Sequence, residues 1–166
     1  QARVHGLDPA DTIVEIKNAD NTDSISDDFI ISEIKRLGSS LSLVLIGQCN
    51  YLSGQKFNMQ KITEAAHSVG AFVGFNLAHG AGNLATSLHD DDIDFAVWCS
   101  YKYLNSGPGG IAGCFVHEKH HKTCDVSQFK AMPRFEGWWG HNKTDRFKMG
   151  PDFNPISSVE AWQLSN

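Results

Sequence analysis

The sequence has 166 residues, of which 41% are hydrophobic and 20% charged, a composition typical of a folded domain rather than of a disordered or low-complexity segment. The formal net charge is −5 and there is no basic tract, so neither nucleic acid nor an anionic membrane is expected as the main partner. No apolar run approaches the ~20 residues of a membrane-spanning helix and no targeting segment is recognisable, so we expect a cytoplasmic protein without a membrane partner.

The first predicted helix follows a polar, turn-rich N-terminal stretch. Ser26 stands in the N-cap position, two acidic residues follow it where the helix dipole is positive, and Gly38 ends the helix. The apolar face of this helix consists of Ile30, Ile31 and Ile34. The next segment, 41–46, is a nearly continuous apolar run, which predicts a buried strand of a parallel sheet.

The alternation of helix and strand then repeats along the chain. Asn58 caps a predicted helix that runs to His67 or Ser68, and the segment 79–89 is interrupted by glycine and then helical. The four predicted strands lie at residues 41–46, 71–75, 94–99 and 111–116. This alternation favours an α/β fold in which a mainly parallel sheet is flanked by helices.

The strongest candidate for chemistry is Lys102, which follows the third predicted strand directly. Tyr101 and Tyr103 flank it, and a glycine-rich turn, 107–110, comes a few residues later. In parallel α/β sheets, ligands bind beyond the carboxyl ends of the strands, which is where this lysine lies. A lysine among aromatic side chains loses part of its hydration, and its amine is then a nucleophile able to form a Schiff base with an aldehyde cofactor.

Several segments of the chain resemble kynureninase. The two longest are 74–83, with the sequence GFNLAHGAGN, and 98–110, with the sequence WCSYKYLNSGPGG. Shorter similar segments are 54–57, 116–120, 137–141, 146–149 and 162–166. The resemblance implies the large domain of a fold-type-I pyridoxal-phosphate-dependent transferase fold. Residues 1–166 would form the central and C-terminal part of that domain, with its N-terminal part and the small domain absent.

The resemblance also implies roles for individual residues. Lys102 would bond covalently to pyridoxal 5′-phosphate and later move the substrate Cα proton. Tyr101 would bind the cofactor phosphate and could lend a proton during cleavage, while Asn76 and His79 would lie at the cofactor ring. The remaining implied cofactor contacts are Gly47, Trp138 and Asn166.

The reaction implied is the hydrolytic cleavage of the Cβ–Cγ bond of L-kynurenine, or of its 3-hydroxy form, to L-alanine and an anthranilate, in tryptophan catabolism and NAD biosynthesis. In this family Trp138 and Asn166 match positions that reach the cofactor phosphate and the substrate, partly across a homodimer interface. Tyr51, Tyr103 and Trp138 could line an apolar slot for the anthranilate ring.

Two positions depart from the family pattern. The family carries Asp where this chain has Asn76, and a neutral amide does not stabilise a protonated pyridine nitrogen as a carboxylate does. Gly47 stands where many members carry a Ser that touches the cofactor. A diverged homologue with weak or no activity is therefore an alternative interpretation.

Other functions remain open from the residues alone. Cysteine desulfurases share the fold, although their lysine usually follows a His whereas Tyr101 precedes it here. A metal site could use His117, His120, His121 and Cys124, but their polar surroundings favour a solvated surface cluster, so no metal is expected. The acidic run 90–94 lacks the pattern of a calcium-binding loop and is interpreted as a turn. A non-enzymatic binding protein is a further alternative.

The four cysteines are spread along the chain and form no Cys-x-x-Cys pair. Cys99 and Cys114 lie inside apolar runs, where a free cysteine behaves as a small hydrophobic residue. We therefore expect reduced, buried thiols rather than disulfides or redox centres.

Overall fold

The chain forms one mixed sheet with helices packed against it. A computed structural model describes residues 2–17, 22–121 and 135–164. The α-helices are α1 (Pro9–Thr12), α2 (Asp27–Leu37) and α3 (Met59–Ser68). The strands are β1 (Leu43–Gly47), β2 (Phe72–Asn76), β3 (Phe95–Trp98) and β4 (Gly113–Val116). Short 3₁₀ helices lie at Ala2–His5, Gly38–Ser40, Glu118–His120, Trp138–Gly140, Arg146–Lys148 and Val159–Trp162.

The sheet confirms the predicted fold class. Its strand order is β1-β2-β3-β4, with β1, β2 and β3 parallel and β4 antiparallel to β3. Gly47 pairs with Asn76, and Asn76 in turn pairs with Val97. The carboxyl ends of the three parallel strands therefore lie side by side at one edge of the sheet.

The two long helices begin where their capping residues predict. The Ser26 hydroxyl accepts a hydrogen bond from the Phe29 N–H at 3.1 Å, and the Asn58 side-chain oxygen accepts one from the Lys61 N–H at 3.1 Å. α3 packs against β2 and α2 packs against α3, and their apolar side chains share one core with the sheet. That core includes Ile30, Ile34, Ile62, Val73, Phe75 and Ala96.

The helix predicted within residues 79–89 is wrong. Its first part is a series of hydrogen-bonded turns in which the N–H groups of Gly80 and Ala81 donate to the Leu77 carbonyl. Gly82 has a φ of +78°, a conformation that a helix interior does not adopt. The turns keep this segment close to the end of β2.

The expectation of buried thiols is wrong for one cysteine. Cys114, on β4, is exposed, and Cys49 and Cys99 are half-buried. All three are free thiols. Cys124 lies outside the described residues. Across the three described ranges, no helix combines the length and apolar character needed to cross a bilayer.

Candidate functional site

A lysine–histidine pair lies just beyond the carboxyl ends of two neighbouring parallel strands. His79 belongs to the turns that follow β2, and Lys102 belongs to the loop that follows β3. The Lys102 Nζ atom is 3.0 Å from the His79 Nε2 atom. A Lys102 ammonium would donate this hydrogen bond to His79 Nε2, whereas an uncharged Lys102 amine could also accept one from an Nε2–H group. Because β2 and β3 end side by side, the residues that follow them hold the Lys102 amine against His79.

Tyrosine side chains surround this pair. The His79 ring lies 6.1 Å from the Tyr51 ring and 6.1 Å, edge-on, from the Tyr103 ring. The Tyr101 ring centroid is 5.8 Å from the Lys102 Nζ atom, within the range of a cation–π contact. Lys102 itself is half-buried, whereas all three tyrosines are exposed. The site is therefore an open surface with an aromatic rim.

Asn76 is the polar residue at the end of β2. Its Oδ1 atom accepts a hydrogen bond from the Ala78 N–H at 2.9 Å, and its side chain is exposed. Its backbone carbonyl accepts a hydrogen bond from the Gln48 N–H at 3.1 Å. Asn76 and its register partner Gly47 thus lie at the same edge of the sheet as the lysine–histidine pair.

Two further features of the lysine loop were not identified from the sequence. A Cβ atom at Gly82 would lie 3.0 Å from the Tyr103 backbone carbonyl, so only glycine lets the two loops approach this closely. The Ser100 hydroxyl bonds to the Ser106 hydroxyl at 2.8 Å and donates to the Ile111 carbonyl. These contacts fix the loop that carries Lys102, and no local sequence pattern signals them.

The predicted residues are only partly brought together. Five of them lie at the carboxyl edge of the sheet: Gly47, Asn76, His79, Tyr101 and Lys102. Trp138 lies in a C-terminal aromatic cluster, where its ring contacts Trp139, Phe147 and Arg146. Asn166 lies outside the described residues.

A second polar cluster lies at the opposite edge, where β2 and β3 begin. Asp94 is 3% exposed, and its carboxylate accepts hydrogen bonds from the Val73 N–H at 2.8 Å, His67 Nε2 at 2.9 Å and His120 Nε2 at 2.8 Å. Lys119 Nζ lies 3.0 Å from the same carboxylate. Burial raises the pKa of Asp94, but these donors outweigh it and lower the pKa to about 2.

This cluster corrects the interpretation of the histidines as a solvated surface group. His117 is buried, and His120 contacts the Asp94 carboxylate. Burial lowers the pKa of His121. Within the described part of the chain, no group of three His, Cys, Asp or Glu side chains is arranged to hold a metal ion. The acidic run before β3 forms a turn, as predicted.

Comparison with known proteins gives consistent results. A family model described as Aminotransferase class-V matches residues 12–133. The whole chain is 53% identical to the kynureninase of Myxococcus xanthus and 54% identical to that of Flavobacterium psychrophilum, and it spans 38% of each. The resemblance to kynureninase noted in the sequence is therefore confirmed.

The solved structures that match show the same fold at low sequence identity. A cysteine desulfurase from Thermococcus onnurineus has a TM-score of 0.65 at 16% identity, covering 91% of this chain and 34% of that one. A cysteine desulfurase from Escherichia coli has a TM-score of 0.60 at 19% identity, covering 82% of this chain and 31% of that one. These likenesses concern the fold alone. Sequence, fold and family model agree, and the chain belongs to the aminotransferase class-V family.

Proposed function

We propose that this chain is the lysine-bearing part of a pyridoxal-phosphate-dependent hydrolase that cleaves the Cβ–Cγ bond of L-kynurenine or 3-hydroxy-L-kynurenine. The products are L-alanine and the corresponding anthranilate. The observation that carries the proposal is the Lys102 Nζ atom 3.0 Å from His79, beyond the carboxyl ends of parallel strands. The identity of 53% to a kynureninase supports this substrate class over that of the cysteine desulfurases.

The residues at this edge fit pyridoxal phosphate in all but one respect. Lys102 offers a primary amine for the aldehyde, and His79 offers a flat ring held by two tyrosines. The exposed Tyr101 hydroxyl is available for the phosphate. The exception is Asn76, whose side chain is a neutral amide. A carboxylate at this position would keep the pyridine nitrogen protonated.

The chain's own residues account for binding, orientation and proton transfer. The hydrogen bond to His79 Nε2 orients the Lys102 Nζ atom, which holds the cofactor and later moves a proton at the substrate Cα atom. Pyridoxal phosphate, held by Lys102, would supply an electron-withdrawing ring at this site. Tyr101, whose ring centroid lies 5.8 Å from the Lys102 Nζ atom, would offer its hydroxyl to the phosphate and lend a proton during carbon–carbon cleavage. The exposed rings of Tyr51 and Tyr103 offer apolar faces against which the anthranilate ring can pack.

Reduction with borohydride tests this proposal. We expect the full-length protein, treated with pyridoxal phosphate and then borohydride, to carry a pyridoxyl group on Lys102, detected by peptide mass spectrometry. Lys102→Arg should lose the adduct and the release of anthranilate from L-kynurenine. Lys61→Arg is the matched control, because Lys61 is exposed on α3. An unmodified Lys102 would contradict the proposal. Release of sulfur from L-cysteine without cleavage of kynurenine would favour a desulfurase instead.

A second candidate function is that of a diverged homologue with weak or no activity. The observation that favours it is the neutral amide at Asn76. Within the described residues, the side-chain hydrogen bond of Asn76 runs to the Ala78 N–H and to no carboxylate. A pyridine nitrogen beside an amide is less readily kept protonated, which weakens electron withdrawal.

Asn76→Asp separates the two candidates. The carboxylate has the same shape, and one oxygen can still accept the hydrogen bond from the Ala78 N–H. We expect kynurenine turnover by the full-length protein to rise by more than roughly tenfold if the site lacks a carboxylate. Unchanged turnover would show that the electron-withdrawal argument is wrong. Asn58→Asp is the control, because Asn58 is exposed, lies outside the site, and likewise accepts a backbone N–H, that of Lys61, through its Oδ1 atom.

The family resemblance supports two broader proposals about the full-length protein. It would be a cytoplasmic homodimer in which Trp138 and Asn166 reach the cofactor phosphate and the substrate, partly across the subunit interface. Residues 1–166 would then form the central and C-terminal part of its large domain. A mass of one chain in light scattering of the full-length protein would contradict the shared site.

A further inference from the structure

The C-terminal aromatic cluster contains a buried cation. Arg146, at the start of a short 3₁₀ helix, is only 8% exposed. Its guanidinium carbon lies 4.6 Å from the Trp138 ring centroid and 5.0 Å from the Trp139 ring centroid. Both distances are within the range of a cation–π contact, so the guanidinium faces two indole rings at once.

The polar contacts of Arg146 are unusual for a buried arginine. Its Nη2 atom donates to the carbonyl oxygens of Trp139 at 2.9 Å and His141 at 3.2 Å. Its buried Nε atom has no hydrogen-bond partner among the described residues. In contrast, the neighbouring Lys148 pairs with Asp145 at the surface. In the described part of the chain, the charge of Arg146 therefore faces indole rings and backbone carbonyls rather than a carboxylate.

This arrangement fixes the orientation of one tryptophan in particular. Trp138 packs edge-on against Trp139, with ring centroids 5.4 Å apart and planes at 76°, and edge-on against Phe147 at 5.4 Å. It nevertheless remains 43% exposed. The indole is thus held from several sides and open on another, as a side chain that must present its ring or N–H to a ligand would be.

A lysine at position 146 would not make the same contacts with the indole rings and the backbone carbonyls. The planar guanidinium can contact an indole face and donate hydrogen bonds at its edge at the same time. A lysine ammonium is a strongly hydrated point charge, and it cannot satisfy two rings and two carbonyls with one geometry. The contacts with two indole rings and two backbone carbonyls therefore favour arginine over lysine at position 146.

We propose that Arg146 is a positioning residue that fixes the Trp138 indole for binding the cofactor phosphate. The role of Trp138 in this proposal rests on the proposed function. Arg146 itself does not touch the cofactor and acts only through the indole it holds. Losing Arg146 should therefore have the same effect on cofactor binding as losing Trp138.

The test uses the full-length protein and two measurements that do not require turnover. The first is the affinity for pyridoxal phosphate, by fluorescence titration. The second is circular dichroism, because two indoles at a fixed short distance couple their transitions and give a paired signal. We expect Arg146→Met and Trp138→Phe each to weaken cofactor binding by about tenfold, with no further loss in the double variant. Both variants should lose the paired signal.

The controls make the result decisive. Lys148→Met removes an exposed cation from the same short helix and should change neither measurement. Arg146→Lys keeps the charge and guards against misfolding of the methionine variant; it should still lose the paired signal and the affinity. If Arg146→Lys and Arg146→Met both keep the paired signal and the wild-type affinity, the proposal is overturned.

The failure of this proposal differs from the failure of the proposed function. If Trp138→Phe leaves cofactor affinity unchanged, the positioning proposal is overturned, because the indole then has no part in binding. The pyridoxyl group on Lys102 would be unaffected by that result. Absence of the Lys102 adduct, in turn, would contradict the proposed function without any variant of Arg146.

Discussion

Replacing Asp94 by asparagine tests whether the polar cluster at the amino ends of β2 and β3 holds the sheet together. The carboxylate accepts hydrogen bonds from the Val73 N–H, His67 and His120, and it also lies 3.0 Å from Lys119 Nζ. An asparagine has the same shape but only one acceptor oxygen. Its NH₂ group would face at least one of these donors, which would then lose its partner.

The pKa of Asp94 gives the size of the effect. Its fall from 3.8 to about 2 corresponds to about 2 kcal/mol of stabilisation of the charged form in the folded protein. A buried donor left facing an NH₂ group adds to that cost, so we expect Asp94→Asn to lower the free energy of unfolding by about 3 kcal/mol at neutral pH. The side chains of His67, Lys119 and His120 are partly exposed and can turn to water, which keeps the loss near this value, whereas the buried Val73 N–H cannot.

The pH dependence follows from the direction of the shift. The pKa of Asp94 is lower in the folded than in the unfolded protein, so its contribution is fully present above the unfolded value of about 4. It is lost as the pH falls from there towards the folded value of about 2. Between pH 4 and pH 2 the free energy of unfolding of the wild-type protein should therefore fall by about 2 kcal/mol through Asp94. The Asp94→Asn variant lacks this contribution at every pH and should not show that fall.

Urea denaturation at a series of pH values measures both effects. The matched control is Asp90→Asn, because Asp90 lies in the turn before β3 with a side chain that is 86% exposed. The reasoning is refuted if Asp94→Asn lowers the unfolding free energy no more than Asp90→Asn does at neutral pH. It is also refuted if the two variants lose stability in parallel between pH 4 and 2.

The remaining predictions concern the packing beneath His79. A Cβ atom at Gly80 would lie 1.8 Å from the Gln48 Oε1 atom, and Gln48 is fully buried. We therefore expect Gly80→Ala to cost about 2 kcal/mol in urea denaturation. Adding Gln48→Ala should remove the clash, so the double variant should be more stable than the sum of the single changes by about 2 kcal/mol. Strict additivity would show that the two side chains do not compete for this space.

Local signals in the sequence predicted the fold well. The caps Ser26 and Asn58 mark helices because a side-chain oxygen three residues before a free N–H is a purely local arrangement. The apolar runs mark strands for the same reason, and the ends of the strands place Lys102 and Asn76 at one edge without knowledge of their partners. Helix caps and apolar runs each depend on a short stretch of chain and can therefore be predicted from the sequence.

The contacts that the sequence did not predict join residues that are far apart. The segment 79–89 contains helix-forming residues, but Gly82 and the Tyr103 carbonyl require turns there. Asp94 looks like one more residue of an acidic turn, yet its donors come from α3, β2 and the segment after β4. Arg146 gives no local sign of burial between two indoles. Each of these depends on tertiary packing, which a local pattern does not encode.

The two polar clusters lie at opposite ends of the same strands, β2 and β3. Asp94 directly precedes β3 and accepts the Val73 N–H of β2, so it ties the two strands together where they begin. Three residues further along, about 10 Å away, the same strands end and lead to His79 and Lys102. A slip of β2 against β3 would move the imidazole away from the amine, because each is carried by one of the two strands. The contact at the amino ends therefore helps to set the distance at which the candidate catalytic lysine meets its histidine.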